Sequence, residues 1–248
     1  MRGRRSELGI EDVHRYGHRE FLDEVFDYQP GEHVTVLAPS GGGKTHLLYE
    51  LLEVTARPEL QGIVFVMKPR DETVDKFTKR TGFRVVRQWP PPLRARVQSK
   101  PPGWALWPKH SFDPDVDDSR QWAIFKSAIQ DSYKRGDRIL VADETYSLEN
   151  ELPNGGLTKW IRMVQTKGRS MRAGMWAASQ RPANISMWAY QAHHLFLGND
   201  PTDDAQKRLS EIGAAVDKAL VREVIGELRQ YEWLYIHRDS RTMCIVEP

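Results

Sequence analysis

The sequence predicts an α/β fold: a mainly parallel sheet sandwiched by helices, closed by a C-terminal hairpin. Three observations predict it. Short apolar runs alternate with helical patterns along most of the 248 residues, as expected for helices packed on a parallel sheet. The polar residues with chemical potential fall just after the apolar runs, where such sheets bind ligands. Apolar residues make up 40% and charged residues 28%, which suits a folded core and excludes disorder.

Residues 33–38, HVTVLA, form the first buried strand. A helix follows over 44–55, with Leu47, Leu48, Leu51 and Leu52 on one face. The run GIVFVM at 62–67 is the second strand and 83–86 a weaker third. The prolines of 89–108, WPPPLRARVQSKPPGWALWP, remove amide donors. That stretch reads as a surface excursion with a short strand around 104–107. Asp117 or Asp118 is expected to cap a helix running to Lys134, with Trp122, Phe125, Ile129 and Tyr133 at helical spacing and Gly136 as its stop. Further strands are expected at 138–142, 175–179 and 194–197, and helices at 157–167, 203–212 and 216–228. The hairpin pairs 232–237 with 242–246. Residues 1–30 are expected to form a basic arm or helical segment, and 31–248 one domain with an insertion at about 89–118.

Composition bounds the function. Lys plus Arg number 36 and Asp plus Glu 34, so the net charge of +2 excludes a histone-like protein. The single cysteine, Cys244, excludes an internal disulfide framework and a multi-cysteine zinc site. No stretch has the roughly 18 apolar residues of a membrane span. The N-terminus lacks the apolar region of a secretory signal. A soluble, cytoplasmic protein is the expectation.

After the first strand comes Ala38-Pro39-Ser40-Gly41-Gly42-Gly43-Lys44-Thr45-His46. This is the phosphate-loop pattern G-x-x-x-x-G-K-[ST] with Ala38 at its first position. The three glycines allow a tight turn whose N–H groups, with the N-terminus of the next helix, cradle a β-phosphate. Lys44 is placed to reach the β- and γ-phosphates, and the Thr45 hydroxyl to ligate Mg²⁺. The strand at 138–142 ends in Asp143-Glu144. An aspartate there holds Mg²⁺ in proteins with such loops, and the adjacent glutamate is placed to act as general base on water. The strand at 175–179 ends in Gln180, a neutral amide suited to contact both the γ-phosphate and the attacking water. The expected fold class is thus an α/β P-loop NTPase, RecA/ASCE-like, with a nucleoside triphosphate and Mg²⁺ at these positions; the family resemblance described next implies that the nucleotide is ATP.

The segment Gly168-Arg169, then Gly174, then Ala178-Ser179-Gln180-Arg181-Pro182 resembles the GR…G…ATQRP segment of the FtsK/HerA superfamily of DNA-pumping ATPases. The order of phosphate loop, Asp-Glu strand and Gln-Arg-Pro strand matches as well. Within that superfamily the PSGGGKT form resembles the packaging ATPases of membrane-containing icosahedral viruses. The resemblance implies a homohexameric ring with ATP at subunit interfaces. Arg169 falls where the family places its trans-acting arginine finger, with Arg172 and Arg181 as competitors. It implies ATP-driven translocation of double-stranded DNA, most simply viral genome packaging in the host cytoplasm or virion, with capsid or membrane-vertex proteins as further partners. A plasmid or chromosomal pump, a nucleotide-dependent assembly switch and a single-strand motor are the rival expectations.

A ring that pulls DNA needs positive charge aimed at phosphates. Candidates are Arg94, Arg96, Lys100 and Lys109, then Lys159, Arg162 and Lys167, then Arg2, Arg4 and Arg5. Trp89, Trp104 and Trp107 either stack on bases or pack in the core. Set against the larger members of that superfamily, which append a winged-helix DNA reader, sequence-specific DNA recognition within these 248 residues is not expected. His193-His194 is expected to be structural, since the eight histidines show no metal-ligand spacing.

Overall fold

The computed structural model describes residues 10–93, 100–180, 189–212 and 216–248. Its ten strands are β1 (Arg15–Gly17), β2 (Val34–Leu37), β3 (Gln61–Phe65), β4 (Arg84–Val86), β5 (Gly103–Leu106), β6 (Arg138–Ala142), β7 (Ala173–Ser179), β8 (His194–Gly198), β9 (Trp233–His237) and β10 (Thr242–Glu247). They form one sheet in the order β1-β10-β9-β8-β2-β7-β6-β3-β5-β4. All neighbours pair parallel except β9, which runs antiparallel to both β8 and β10.

Side chains alternate along the strands between two buried faces, so both faces need cover. Val34, Val36, Val64, Ile139, Val141, Phe196 and Tyr235 face one layer. That layer holds α1 (His18–Glu24), α2 (Lys44–Thr55) and α3 (Glu72–Thr81). On the opposite face, α4 (Pro114–Arg135), α5 (Thr145–Asn150) and α6 (Thr158–Lys167) cover Ile63, Phe65, Leu140 and Met175. Beside them, α7 (Asp203–Ile212) and α8 (Lys218–Glu227) cover Leu195, Leu197, Leu234 and Ile236.

Local chemistry sets the helix ends. Asp113, not Asp117 or Asp118, caps α4: its side chain accepts from the N–H groups of Asp115 and Val116, with Pro114 at the first helical position. Asp117 instead lies buried inside the first turn and accepts from Ser111 N (2.7 Å), Ser111 Oγ (2.8 Å) and Phe112 N (3.0 Å). Gly136 ends the helix at φ +71°, as expected. Asp71 caps α3 in the same way, and Gly82 stops it at φ +79°.

The proline-rich excursion returns to the sheet, because β5 inserts between β3 and β4. Trp104 and Trp107 are core residues, 3% and 6% exposed, and so are not surfaces for bases. Residues 15–28 are built into the same body: β1 pairs with β10, and Phe21 and Phe26 pack in the core under β8 and β9. Arg2, Arg4, Arg5, Arg94, Arg96, Arg181 and Pro182 lie outside the described residues. Among the described residues no helix is long and apolar enough to cross a membrane.

Candidate nucleotide site

Three adjacent parallel strands bring the site together. In register, Leu37 of β2 lies beside Ser179 of β7, and Ala177 of β7 beside Ala142 of β6. The three chains therefore leave the sheet at the same edge, carrying the phosphate loop, Asp143-Glu144 and Gln180.

The loop turns as its glycines require. Gly41 has φ +77° and Gly43, the N-cap of α2, φ +86°, conformations that side chains with a Cβ rarely adopt. Gly42 is close-packed instead: a Cβ there would stand 2.9 Å from Ala38 Cβ. Ala38 is not among the residues with positive φ, so alanine fits where the pattern has glycine. Its methyl is accommodated by a second glycine, Gly198 at the end of β8, where an added Cβ would come within 2.7 Å of it.

Lys44 is buried, 8% exposed, and its ammonium donates to the carbonyls of Ala38 (2.9 Å) and Pro39 (2.8 Å). Burial lowers its pKa, against the opposing pull of Asp143 and Glu144. Thr45 Oγ1 lies 2.8 Å from both Asp143 oxygens and donates to that carboxylate. Burial raises the pKa of Asp143, offset in part by the Thr45 hydrogen bond and by Lys68 and Lys44. Burial also raises the pKa of Glu144, which accepts from Gln180 Nε2 at 3.2 Å. Hydroxyl and carboxylate oxygens together suit a hard divalent cation such as Mg²⁺. Lys44, Thr45, Asp143, Glu144 and Gln180, with the loop amides, can hold a triphosphate at one end and present a carboxylate to water at the other.

The remaining expected residues are dispersed. His46 sits on the exposed side of α2, its Nε2 3.1 Å from Glu50 Oε1 one turn on. Arg169 belongs to a short 3-10 turn, Arg169–Met171, directly before β7. That is the opposite edge of the sheet, and its guanidinium lies 3.5 Å from Asp239. Arg172 pairs with Asp137 at 2.6 Å. Lys100, Lys109, Lys159, Arg162 and Lys167 are exposed.

His194 is structural: its Nε2 bonds Glu32 at 3.0 Å and its Nδ1 the Tyr235 hydroxyl at 2.9 Å. His193 accepts the His33 amide on Nδ1, which leaves the proton on Nε2. Glu32, His193 and Asp239 converge, but that tautomer makes His193 a donor to carboxylates rather than a metal ligand. Sequence reasoning missed Lys68 and Asp71, whose side chains lie 3.8 Å apart near Asp143. The signal was available, since KPRDE directly follows the strand at 62–67.

Fold and loop geometry together define an α/β P-loop NTPase fold. No protein-family model matches the chain, and no curated protein sequence is similar to it. Solved structures do share its fold. The genome-packaging NTPase B204 of Sulfolobus turreted icosahedral virus 2, bound to AMPPCP, superposes with a TM-score of 0.59 at 19% identity, over 89% of this chain and 100% of that one. VirB4 of Thermoanaerobacter pseudethanolicus gives 0.60 at 11% identity, over 87% and 89%. EssC ATPases 2 and 3 of Geobacillus thermodenitrificans give 0.53 at 9% identity, over 89% and 40%. The chain thus shares its fold with these ATPases and NTPases.

Proposed function

We propose that this protein is an ATP-driven translocase of double-stranded DNA, and in its most specific form a viral genome-packaging motor. The observation that carries the reading is the convergence of Lys44, Thr45, Asp143, Glu144 and Gln180 at the ends of β2, β6 and β7. The order of the three motifs and the fold shared with a viral packaging NTPase support the choice of cargo.

In this reading the loop amides and Lys44 bind the β- and γ-phosphates. Thr45 and Asp143 would hold Mg²⁺, which would supply charge neutralisation for the phosphates. Glu144 takes a proton from the attacking water, and its raised pKa brings it nearer the pH at which a general base works best. Gln180 orients Glu144 and meets the terminal phosphate. Arg169 stands at the far edge from its own Lys44, so it serves only a neighbouring subunit's nucleotide, as a ring provides. The exposed Lys100, Lys109, Lys159, Arg162 and Lys167 are the candidates for DNA phosphates.

A nucleotide-dependent switch that moves no nucleic acid is the second reading, favoured by the net charge of only +2. DNA-stimulated ATPase measured across a salt series separates the two. A translocase is stimulated by duplex DNA, and its DNA affinity falls steeply with salt. Nucleotide hydrolysis indifferent to DNA at every salt concentration overturns the translocase reading in favour of the switch.

A further inference from the structure

We propose that Tyr231 is the platform for the nucleoside base of the bound triphosphate, in a cleft between α2 and the start of β9. This rests on the ATP-hydrolysing reading above and adds the part of the site that would recognise the nucleoside.

The sheet order sets the direction. From β2, the acids of β6 lie on one side and β8 and β9 on the other. A triphosphate with its terminal phosphate at Asp143 and Glu144 therefore leads its nucleoside toward β8 and β9. A cleft of about 490 Å³ opens there beside the phosphate loop, lined by His18, His46, Leu47, Glu50, Tyr231 and Trp233. Its size is that of a small-ligand site, and its mix of aromatic wall and few polar groups is typical of one.

Tyr231 stands at the mouth of this cleft in an unusual way. Residues 229–232 form a turn closed by Glu232 N to Arg229 O at 3.1 Å. The buried Glu232 carboxylate fixes the turn by accepting from Arg229 N (2.7 Å) and Arg15 Nη1 (3.0 Å). Asn199, just past β8, donates to Leu228 O and ties the turn to the sheet. The third position of this turn has φ +69° and is occupied by Tyr231, where glycine is the ordinary choice. A non-glycine residue held at left-handed φ is a strain that the surroundings enforce, and such strain gathers at ligand clamps. Here it leaves a tyrosine 48% exposed, with its ring edge against the phosphate loop: a Cβ on Gly43 would meet Tyr231 Cδ1 at 3.1 Å. The buried indole of Trp233 backs the same spot at 3.7 Å. An exposed aromatic ring beside a phosphate cradle has one evident use, since any base stacks on a ring face.

Glu50 completes the cleft. Its carboxylate lies 3.0 Å from His18 Nε2 and 3.1 Å from His46 Nε2. Burial works to raise its pKa, but the two histidines and Arg80 outweigh burial and keep it ionised. It is an acceptor suited to a base amino group.

The test compares two probes, a non-hydrolysable ATP analogue and inorganic tripolyphosphate, by calorimetry on wild type, Tyr231→Gly, Tyr231→Phe and Lys44→Ala. Tyr231→Gly is expected to weaken the ATP analogue about ten- to hundredfold while tripolyphosphate changes less than about twofold. Its Tm should equal or exceed that of wild type, because glycine relieves the strained φ. Tyr231→Phe should bind as wild type, and Lys44→Ala should lose both probes. If Tyr231→Gly leaves the ATP analogue unchanged, or weakens both probes in parallel with a lowered Tm, Tyr231 is a structural prop and the proposal fails. If Lys44→Ala still binds both probes, the phosphate-loop reading itself fails, and the base platform with it.

Discussion

The contact between Ala38 and Gly198 gives a prediction that can be worked through from distances. Ala38 replaces the first glycine of the phosphate loop, and Gly198 makes room for its methyl. Gly198→Ala puts a new methyl 2.7 Å from Ala38 Cβ and 3.2 Å from Trp233 Cζ3. Carbon atoms attract best at about 3.5–4.0 Å, so the two methyls overlap by about 1 Å. Neither has a rotamer to change, because each is mounted directly on backbone. Overpacking of this kind costs about 1–3 kcal/mol. Ala38→Gly alone removes a buried methyl and adds backbone freedom, at about 1–2 kcal/mol. Combined, the methyl has only moved from the loop after β2 to the end of β8. The double variant should then be no less stable than Gly198→Ala, a favourable coupling of about 1–2 kcal/mol. Urea denaturation of all four proteins measures it. Losses that add to within about 0.5 kcal/mol would refute the claim that these two residues share one space.

Three further outcomes follow from the site and its surroundings. Lys44→Ala should lower kcat/KM for ATP at least about 100-fold without lowering Tm, measured by phosphate release and by thermal denaturation. Glu144 must be ionised to accept a proton, and burial raises its pKa, so kcat should fall on the acid side through a single ionisation; a flat profile contradicts its role as base. His33 is buried, and burial, with His193 beside it, lowers its pKa from 6.5 to about 4. The unfolded chain then binds the extra proton between those values, so stability should fall by about 1.4 kcal/mol per pH unit on going from pH 6.5 toward 4. His33→Gln should show a shallower fall; an unchanged slope would assign the pH dependence elsewhere.

Most of the sheet was legible because its strands are buried on both faces and read as unbroken apolar runs. The runs at 33–38, 62–67 and 138–142 correspond to β2, β3 and β6; β2 and β3 are a residue or two shorter in the structure, and β6 has the expected bounds. The phosphate loop, Asp143-Glu144 and Gln180 were legible for a related reason: in a parallel sheet, chemistry gathers after the strands. Legibility failed where an element depends on distant partners. β1 is three residues, Arg-Tyr-Gly, and exists because β10 offers it an edge. α3 carries only Val74 and Phe77 as buried residues in ten, too few for an apolar stripe, although Asp71 and Gly82 marked its ends. The start of α4 was misread because several aspartates crowd it. Pro114 was the better signal, since proline favours the first helical position. Tyr231 was invisible because nothing local distinguishes a tyrosine held at φ +69° from any other.

The central claim is that a triphosphate is hydrolysed by groups drawn from the ends of β2, β6 and β7. Phosphate release by Glu144→Gln, followed with and without duplex DNA beside wild type, tests it most directly. The account predicts DNA-stimulated turnover in wild type, and a variant that binds ATP as tightly but releases no phosphate above background. A variant that turns over at the wild-type rate would contradict it.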